Sequence, residues 1–347
     1  NNCTLETRSG MSPFSRMEDN SYLTPLTLVP SHTTVPANEK WDGVPGKCVS
    51  QTQPPKASHQ EPWSPIQHGL VQIAVSMMLT SITILPGLLA TIGMIMYWEL
   101  NATAVVNWLY APVWGAFVMI VLLGLSIFGS ITSLFMMALE SRLLGRIKPG
   151  IYSRWRGTYI LVLMKQRLVE RAGNVLSGTL YWPWWLRLAG MKVGEDCEIS
   201  TIFDTVPELI EIGPRTFFAD GIYLGSPIID RGVVDCSKTT FGTHNFLGNH
   251  AVIPAGTNLP DDVLIGVCTS VDDSQIKEGT SWFGHPMFEL PHREVVEVDD
   301  SLTHNPHWSR YIIRLFWETL RFTFGLLPLM VMLIWFKSMT TLYASQA

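Results

Sequence analysis

Three histidines are the side chains best suited to chemistry in this sequence. His244 and His250 stand six residues apart in a regular stretch, and His285 follows in the loop Trp282-Phe283-Gly284-His285-Pro286. An imidazole titrates near neutral pH, so it can take up and return a proton under ordinary conditions. Asn245 and Asn249 lie beside the first two, with amides that both donate and accept hydrogen bonds. For each histidine the competing reading is an exposed residue at a corner of the chain. A zinc site needs three or four ligands. The six-residue spacing puts His244 and His250 on adjacent faces, and no third ligand is evident, so no metal is expected. The five cysteines (Cys3, Cys48, Cys197, Cys236, Cys268) are scattered and form no CxxC pair. Such a sparse, odd set fits a reducing compartment, and Cys197 reads as a packed thiol. No Ser/His/Asp arrangement and no phosphate-cradling glycine loop is present.

The element that must position these residues is a repeat with a period of six. Phe241, Leu247, Ile253, Leu259, Ile265 and Val271 form the clearest run, followed by Gly at 242, 248 and 266 and by Pro at 254 and 260. Val206, Ile212, Phe218 and Leu224 form an earlier run, and Val193 and Ile199 a first pair. A period of six is neither helical nor a simple strand alternation. It is the mark of a parallel β-helix built from hexapeptides. Three hexads close one triangular turn, so these twelve hexads predict about four coils of a left-handed β-helix within 191–300. The run is interrupted by one extra residue between Ile199 and Val206. A longer break lies between Leu224 and Phe241, where 228–240 is expected to leave the coil as a loop.

Elsewhere the chain is unusually apolar. Only 15% of its 347 residues are charged, against about 25% in ordinary soluble domains. The net charge of −5 argues against nucleic acid as a partner. Residues 66–139 hold two long apolar runs, each sufficient for a transmembrane helix. Tyr97, Trp98, Trp108, Tyr110 and Trp114 around their connection resemble an aromatic belt. Arg142, Arg146, Lys148, Arg154, Arg156, Lys165, Arg167 and Arg171 follow the second run, whereas 99–111 has no Lys or Arg. The positive-inside rule therefore places the N-terminal tail and 140–307 in the cytosol. Residues 140–190, basic and rich in Trp and Tyr, read as helix lying at the headgroup surface. A third apolar segment over 308–338 reads as a tilted span or an interfacial helix. Residues 1–65, rich in Pro, Ser, Thr and Asn, read as a disordered tail or linker. The fold class is thus a membrane protein, α + β, with transmembrane helices flanking a β-helix. The start on Asn1 reads as a fragment or a processed piece.

Four segments carry a resemblance to a known family: Trp155-Arg156-Gly157-Thr158-Tyr159, Leu188-Ala189-Gly190-Met191-Lys192-Val193-Gly194, Phe246 through Thr257, and Gly279 through Pro286. Together they resemble the membrane-embedded C-terminal part of ε-poly-L-lysine synthetase-like nonribosomal peptide synthetases, over roughly 66–338. In that family adenylation and carrier domains precede membrane helices that alternate with three hexapeptide acyltransferase-like domains. The resemblance implies transfer of an aminoacyl group from a carrier thioester to an amine, with phosphopantetheine on a carrier domain, or CoA, as donor. It implies His244, His250 or His285 as the general base, and Asn245, Asn249 and Trp282 as groups that hold the substrate. It implies membrane lipid, adenylation and carrier domains, and a homotrimer as partners. This sequence is expected to hold one coil domain, with no adenylation domain and no carrier motif. The alternative expectation is a non-catalytic membrane scaffold that docks a carrier domain.

Overall fold

Residues spaced by six with small or turn-forming residues between them can fill a prism only if the chain bends every hexad. The computed structural model shows this bending, and it describes residues 2–54, 61–97, 116–291, 299–303, 306–324 and 326–346. In the 191–290 region the chain winds through short strands that pair in parallel with those of the next turn. Val193 stacks on Ile212, Phe241 and Leu259, and Ile199 stacks on Phe218, Leu247, Ile265 and Trp282. Nearly all of these side chains are buried. The arrangement is a parallel β-helix, as the hexads predicted. Turn corners fall three residues after the inward residue, at Arg215, His244, His250, Asp262 and Cys268, all with φ between 50° and 59°. Gly213 is required because a Cβ there would run into the Gly242 carbonyl of the next turn.

Two departures follow from the interruptions. Val206 leaves the inward column and packs with Tyr159, Val162, Leu209 and Val234. The long break is a hairpin, Ile228–Asp230 against Val233–Cys236, which continues onto strand Gly150–Ser153.

The largest correction concerns residues 1–65. Residues 4–42 are not a disordered tail but a second stack of hexads. Strands Thr4–Leu5, Tyr22–Leu23 and Glu39–Asp42 pair in parallel, as do Gly10–Met11 with Leu28–Val29 and Arg16–Met17 with Thr34–Val35. Leu23, Val29 and Val35 are fully buried, with Met11, Met17 and Trp41 packed against them. Corners at Arg8, Phe14, Asn20, Leu26, His32 and Asn38 have φ of 58° to 62°. The Ser, Thr, Asn and Pro that suggest disorder are the corner and outward residues of these coils. Both stacks close on an antiparallel hairpin after a matching motif, Trp41-Asp42-Gly43-Val44-Pro45 and Trp282-Phe283-Gly284-His285-Pro286. The chain therefore contains two related repeats.

Helices α1 (Pro65–Tyr97), α2 (Ala116–Leu143), α3 (Gly157–Leu176) and α4 (Tyr181–Ala189) separate them. The headgroup-surface reading of 140–190 also needs correction. The α3 face formed by Ile160, Val162, Met164 and Leu168 is buried, and Trp182 and Trp185 stack at 5.3 Å inside the protein. Trp182 donates to the Ser200 carbonyl, so α4 caps the first coil of the β-helix. Gly190 ends α4 in the left-handed conformation, φ 115°, which a Cβ would strain. Contacts divide the chain into two units. The first holds both repeats, α3 and α4 (1–75 with 138–305), and the second holds 76–137 with 306–347.

Pro65–Gly93 and Leu123–Leu143 mark helices long and apolar enough to cross a membrane, with mean hydropathies of 2.0 and 1.6. The third apolar segment is broken. Helix α5 (Trp308–Thr319) passes into a 3-10 turn at Leu320–Thr323, and α6 runs over Leu326–Gln346. Ser126 and Ser130 of α2 both donate to the Phe322 carbonyl. Trp98, Trp108, Tyr110 and Trp114 lie outside the described residues.

Candidate functional site between the repeats

His244 and His250 both occupy coil corners, the position their competing reading assigned them. The His244 Nδ1 lies 2.9 Å from Asp262 Oδ1, and both side chains are about half exposed. His250 is exposed on a different edge of the prism, over Gly221. The structure therefore does not bring the two imidazoles together. Asn245 is an internal residue, 2% exposed. Its Oδ1 accepts from the Val263 N–H and its Nδ2 donates to the Gly242 carbonyl, so the amide ladders the coil. Asn249 accepts from the Asp220 N–H at the neighbouring corner. Trp282 is 4% exposed and donates to Thr280 Oγ1, closing the β-helix core. Asn245 and Trp282 thus spend their polar groups inside the coil, and neither presents one to a ligand.

His285 has another place. Its side chain is buried where the second repeat meets the first. The Gly43 N–H donates to Nε2 at 3.1 Å, which assigns the ring proton to Nδ1. Thr27 Oγ1 lies at 3.4 Å and Asp42 Oδ1 at 3.3 Å from the same nitrogen. Burial holds the imidazole below its ordinary pKa, and the Asp42 charge opposes this in part. The His285 carbonyl accepts from the Val44 N–H. This histidine joins the two repeats through matching hairpins.

The junction encloses two openings that the histidine pattern does not reveal. One, of about 400 Å³, has Tyr22, Lys40 and Gln53 on the first repeat, facing Asp230, Arg231 and Asp235 on the second. Thr4 Oγ1 donates to Asp230 across it, and Asp230 pairs with Arg231 at 2.9 Å. The other, of about 210 Å³, contains Glu6 from the first repeat and Asp204 and Ser226 from the second. Burial pushes the Glu6 carboxyl up to about 7, with Lys40 opposing and Asp230 and Asp42 adding to the rise. Burial also raises Asp204. The signal for this site was the first repeat's own six-residue column, which makes residues 4–7 part of a wall. Among the described residues no group of three His, Cys, Asp or Glu could hold a metal ion.

No family model matches the chain. Over 317 residues, 88% of its length, it is 30% identical to delta-poly-L-ornithine synthetase of Acinetobacter baumannii (strain AB307-0294). The chain spans only 24% of that relative. Among solved structures it is similar to a maltose O-acetyltransferase from Clostridium difficile 630, at 15% identity over 47% of this chain and 97% of that one, TM-score 0.29. It is likewise similar to a galactoside acetyltransferase in complex with coenzyme A, at 14% identity over 47% and 92% of the two chains, TM-score 0.31. The resemblance carried by the sequence motifs is met: the chain is similar to part of a poly-amino-acid synthetase.

Proposed function

We propose that this portion of a poly-amino-acid synthetase-like chain transfers an aminoacyl group from a thioester to an amine at its β-helix repeats. The observation that carries this reading is the 30% identity over 88% of the chain to a synthetase that makes a poly-amino acid. The donor is phosphopantetheine on a carrier domain, or CoA. The amine nitrogen attacks the thioester carbonyl, a C–N bond forms and the C–S bond breaks. A base takes the proton lost by nitrogen, and the thiolate leaves and is reprotonated. His244 is the better placed of the two corner histidines, because Asp262 Oδ1, 2.9 Å from its Nδ1, orients the ring. In transfer assays of the full chain with an aminoacyl thioester donor, His244→Ala is expected to lower kcat by roughly 100-fold or more, a general base's usual share. Unchanged product from both His244→Ala and His250→Ala would remove these assignments. The exposed, separated corners of His244 and His250 favour a second reading, a scaffold that docks a carrier domain without chemistry. On that reading, carrier binding survives both substitutions and no transfer is seen.

The same proposal takes the β-helices as left-handed and α1, α2 and α6 as membrane spans, with the repeats on the cytosolic side. The positive charges after α2 support that orientation, although Lys165 is buried and does not count toward it. A further repeat completes the assembly, supplied in tandem or by a second copy. In the first repeat the outward column Thr4–Tyr22 ends at Lys40 and faces the second repeat. The equivalent column of the second repeat is Glu198–Phe217–Phe246–Leu264, ending at Ser281. There Phe217 and Phe246 stack at 5.0 Å and Phe246 is 40% exposed. Phe246→Asp is expected to abolish the larger crosslinked species in membranes and to leave the unfolding temperature of the monomer nearly unchanged. Crosslinking equal to the unaltered chain would exclude this face.

A further inference from the structure

The smaller opening has a composition that calls for a cation. Its lining contains two carboxyls, Glu6 from one repeat and Asp204 from the other, and no Lys, Arg or His among the described residues. Ser226, 8% exposed, lines the same space. Its hydroxyl is on the Asp204 side, close enough to favour that carboxylate, but its buried Oγ reaches no partner at hydrogen-bond distance. Glu170 on α3 adds a third carboxyl near Asp204, its own acidity weakened by burial and by that neighbour. The Asp204 carbonyl is already taken by Gln166, and Tyr159 answers to Arg154, so neither neutralises the carboxylates. The remaining wall is aliphatic, from Leu163, Ile228, Ile229 and Val252. Two partly desolvated carboxyls and an unused hydroxyl, with the Lys40 charge reaching Glu6 only from outside the lining, are costly when empty and more favourable around a cation. The volume of about 210 Å³ lies below the roughly 300–1,000 Å³ of drug-sized pockets, so the cation is small.

We propose that this cavity binds a primary alkylammonium group, the side chain or chain end of a basic amino acid, through Glu6, Asp204 and Ser226. The three N–H donors of the ammonium match the two carboxylates and the serine oxygen, and the aliphatic stem lies against Ile228 and Val252. Identifying that ammonium as the acceptor in amide formation rests on the transfer reading above. The binding itself does not.

Isothermal titration of the full chain in detergent, with n-pentylammonium chloride as the probe and n-pentanol as its neutral isostere, tests the site. The cation is expected to bind saturably and the alcohol to bind roughly tenfold more weakly or worse, since hydrogen bonds to charged groups are the stronger ones. Glu6→Gln and Asp204→Asn, close in shape to the native residues, should each weaken the cation by roughly tenfold or more. Glu211→Gln, on an outward face paired with Lys192 and Lys238, should leave it unchanged. No saturable binding of the cation, equal binding of the alcohol, or unaltered affinity in both cavity variants would overturn the proposal. If a variant fails to fold, the comparison of cation with alcohol on the unaltered chain still decides. Transfer assays run in parallel separate the two readings. Ammonium binding without transfer removes only the transfer reading, and transfer without ammonium binding removes only this one.

Discussion

Replacing Lys165 by Met will destabilise the chain by about 3–5 kcal/mol, the usual cost of leaving one partner of a buried ion pair alone. Lys165 is 1% exposed and its ammonium lies 2.7 Å from Glu208 Oε1. The same ammonium donates to the Ser141 carbonyl at 2.7 Å, and Glu208 also accepts from the Ile147 N–H at 2.7 Å. Ser141 in turn donates to the Ala189 carbonyl, and Arg142 to those of Leu188 and Arg187. One lysine on α3 thus ties the end of α2, the segment after it and the 3-10 turn Pro207–Leu209 to the β-helix. Without the ammonium, the Glu208 carboxylate is buried beside an apolar cluster and must lose its charge or draw in water. The double variant Lys165→Met/Glu208→Gln should recover most of the loss, because a neutral amide can still accept from Ile147. Denaturant unfolding of the solubilised chain measures both. A single-variant loss below about 1 kcal/mol, the range of exposed pairs, would mean the site is wet.

The second repeat was legible because its column is marked twice. A Gly or Pro follows most inward residues, and the inward residues are Phe, Leu and Ile. The first repeat has the same period at Leu5, Met11, Met17, Leu23, Val29, Val35 and Trp41, yet its flanking Ser, Thr, Pro and Asn also describe a disordered linker. Composition and periodicity disagreed there, and periodicity reflects the physics, since a six-residue apolar column buries a core whatever lies at the corners. The surroundings of the candidate residues were less legible for a related reason. Reading chemistry from residue type favoured histidines, and two of them sit at corners where the backbone takes a positive φ. His285 stands out in the sequence too, but what it touches lies more than 240 residues away, at Gly43. The column that places Glu6 in a wall does not reveal its character, which comes from burial against a repeat that the sequence places beyond four helices. Lys165 was counted as a surface charge because spacing alone does not show which side of α3 is covered.

His285 and Glu6 sit at the same junction and pull its pH dependence in opposite directions. The folded imidazole has a pKa below its ordinary 6.5, so the unfolded chain binds more protons as pH falls. The stability that His285 contributes is therefore complete above 6.5 and is lost as pH drops through the folded value. The folded Glu6 carboxyl has a pKa of about 7, above its ordinary 4.5. Its contribution is complete below 4.5 and is lost as pH rises through about 7. Lys40, Asp42 and Asp230 are the charged groups around Glu6, and Asp42 faces His285 as well. Between these windows the two slopes cancel in the unaltered chain, each with a limit of about 1.4 kcal/mol per pH unit. Removing one group should expose the other. His285→Asn, whose side-chain oxygen can still accept from Gly43, will leave a chain whose stability falls as pH rises from about 5 to 7, relative to the unaltered protein. Glu6→Gln will leave one whose stability rises over the same interval. Unfolding curves collected across that range, expressed as differences from the unaltered chain, give the two slopes directly. Parallel slopes of the same sign would show that the junction is open to water and that His285 does not join the repeats as described. Opposite slopes would show that the two repeats meet through a neutral imidazole and a carboxyl that resists ionisation. Such a carboxyl ionises more readily when a cation enters beside it.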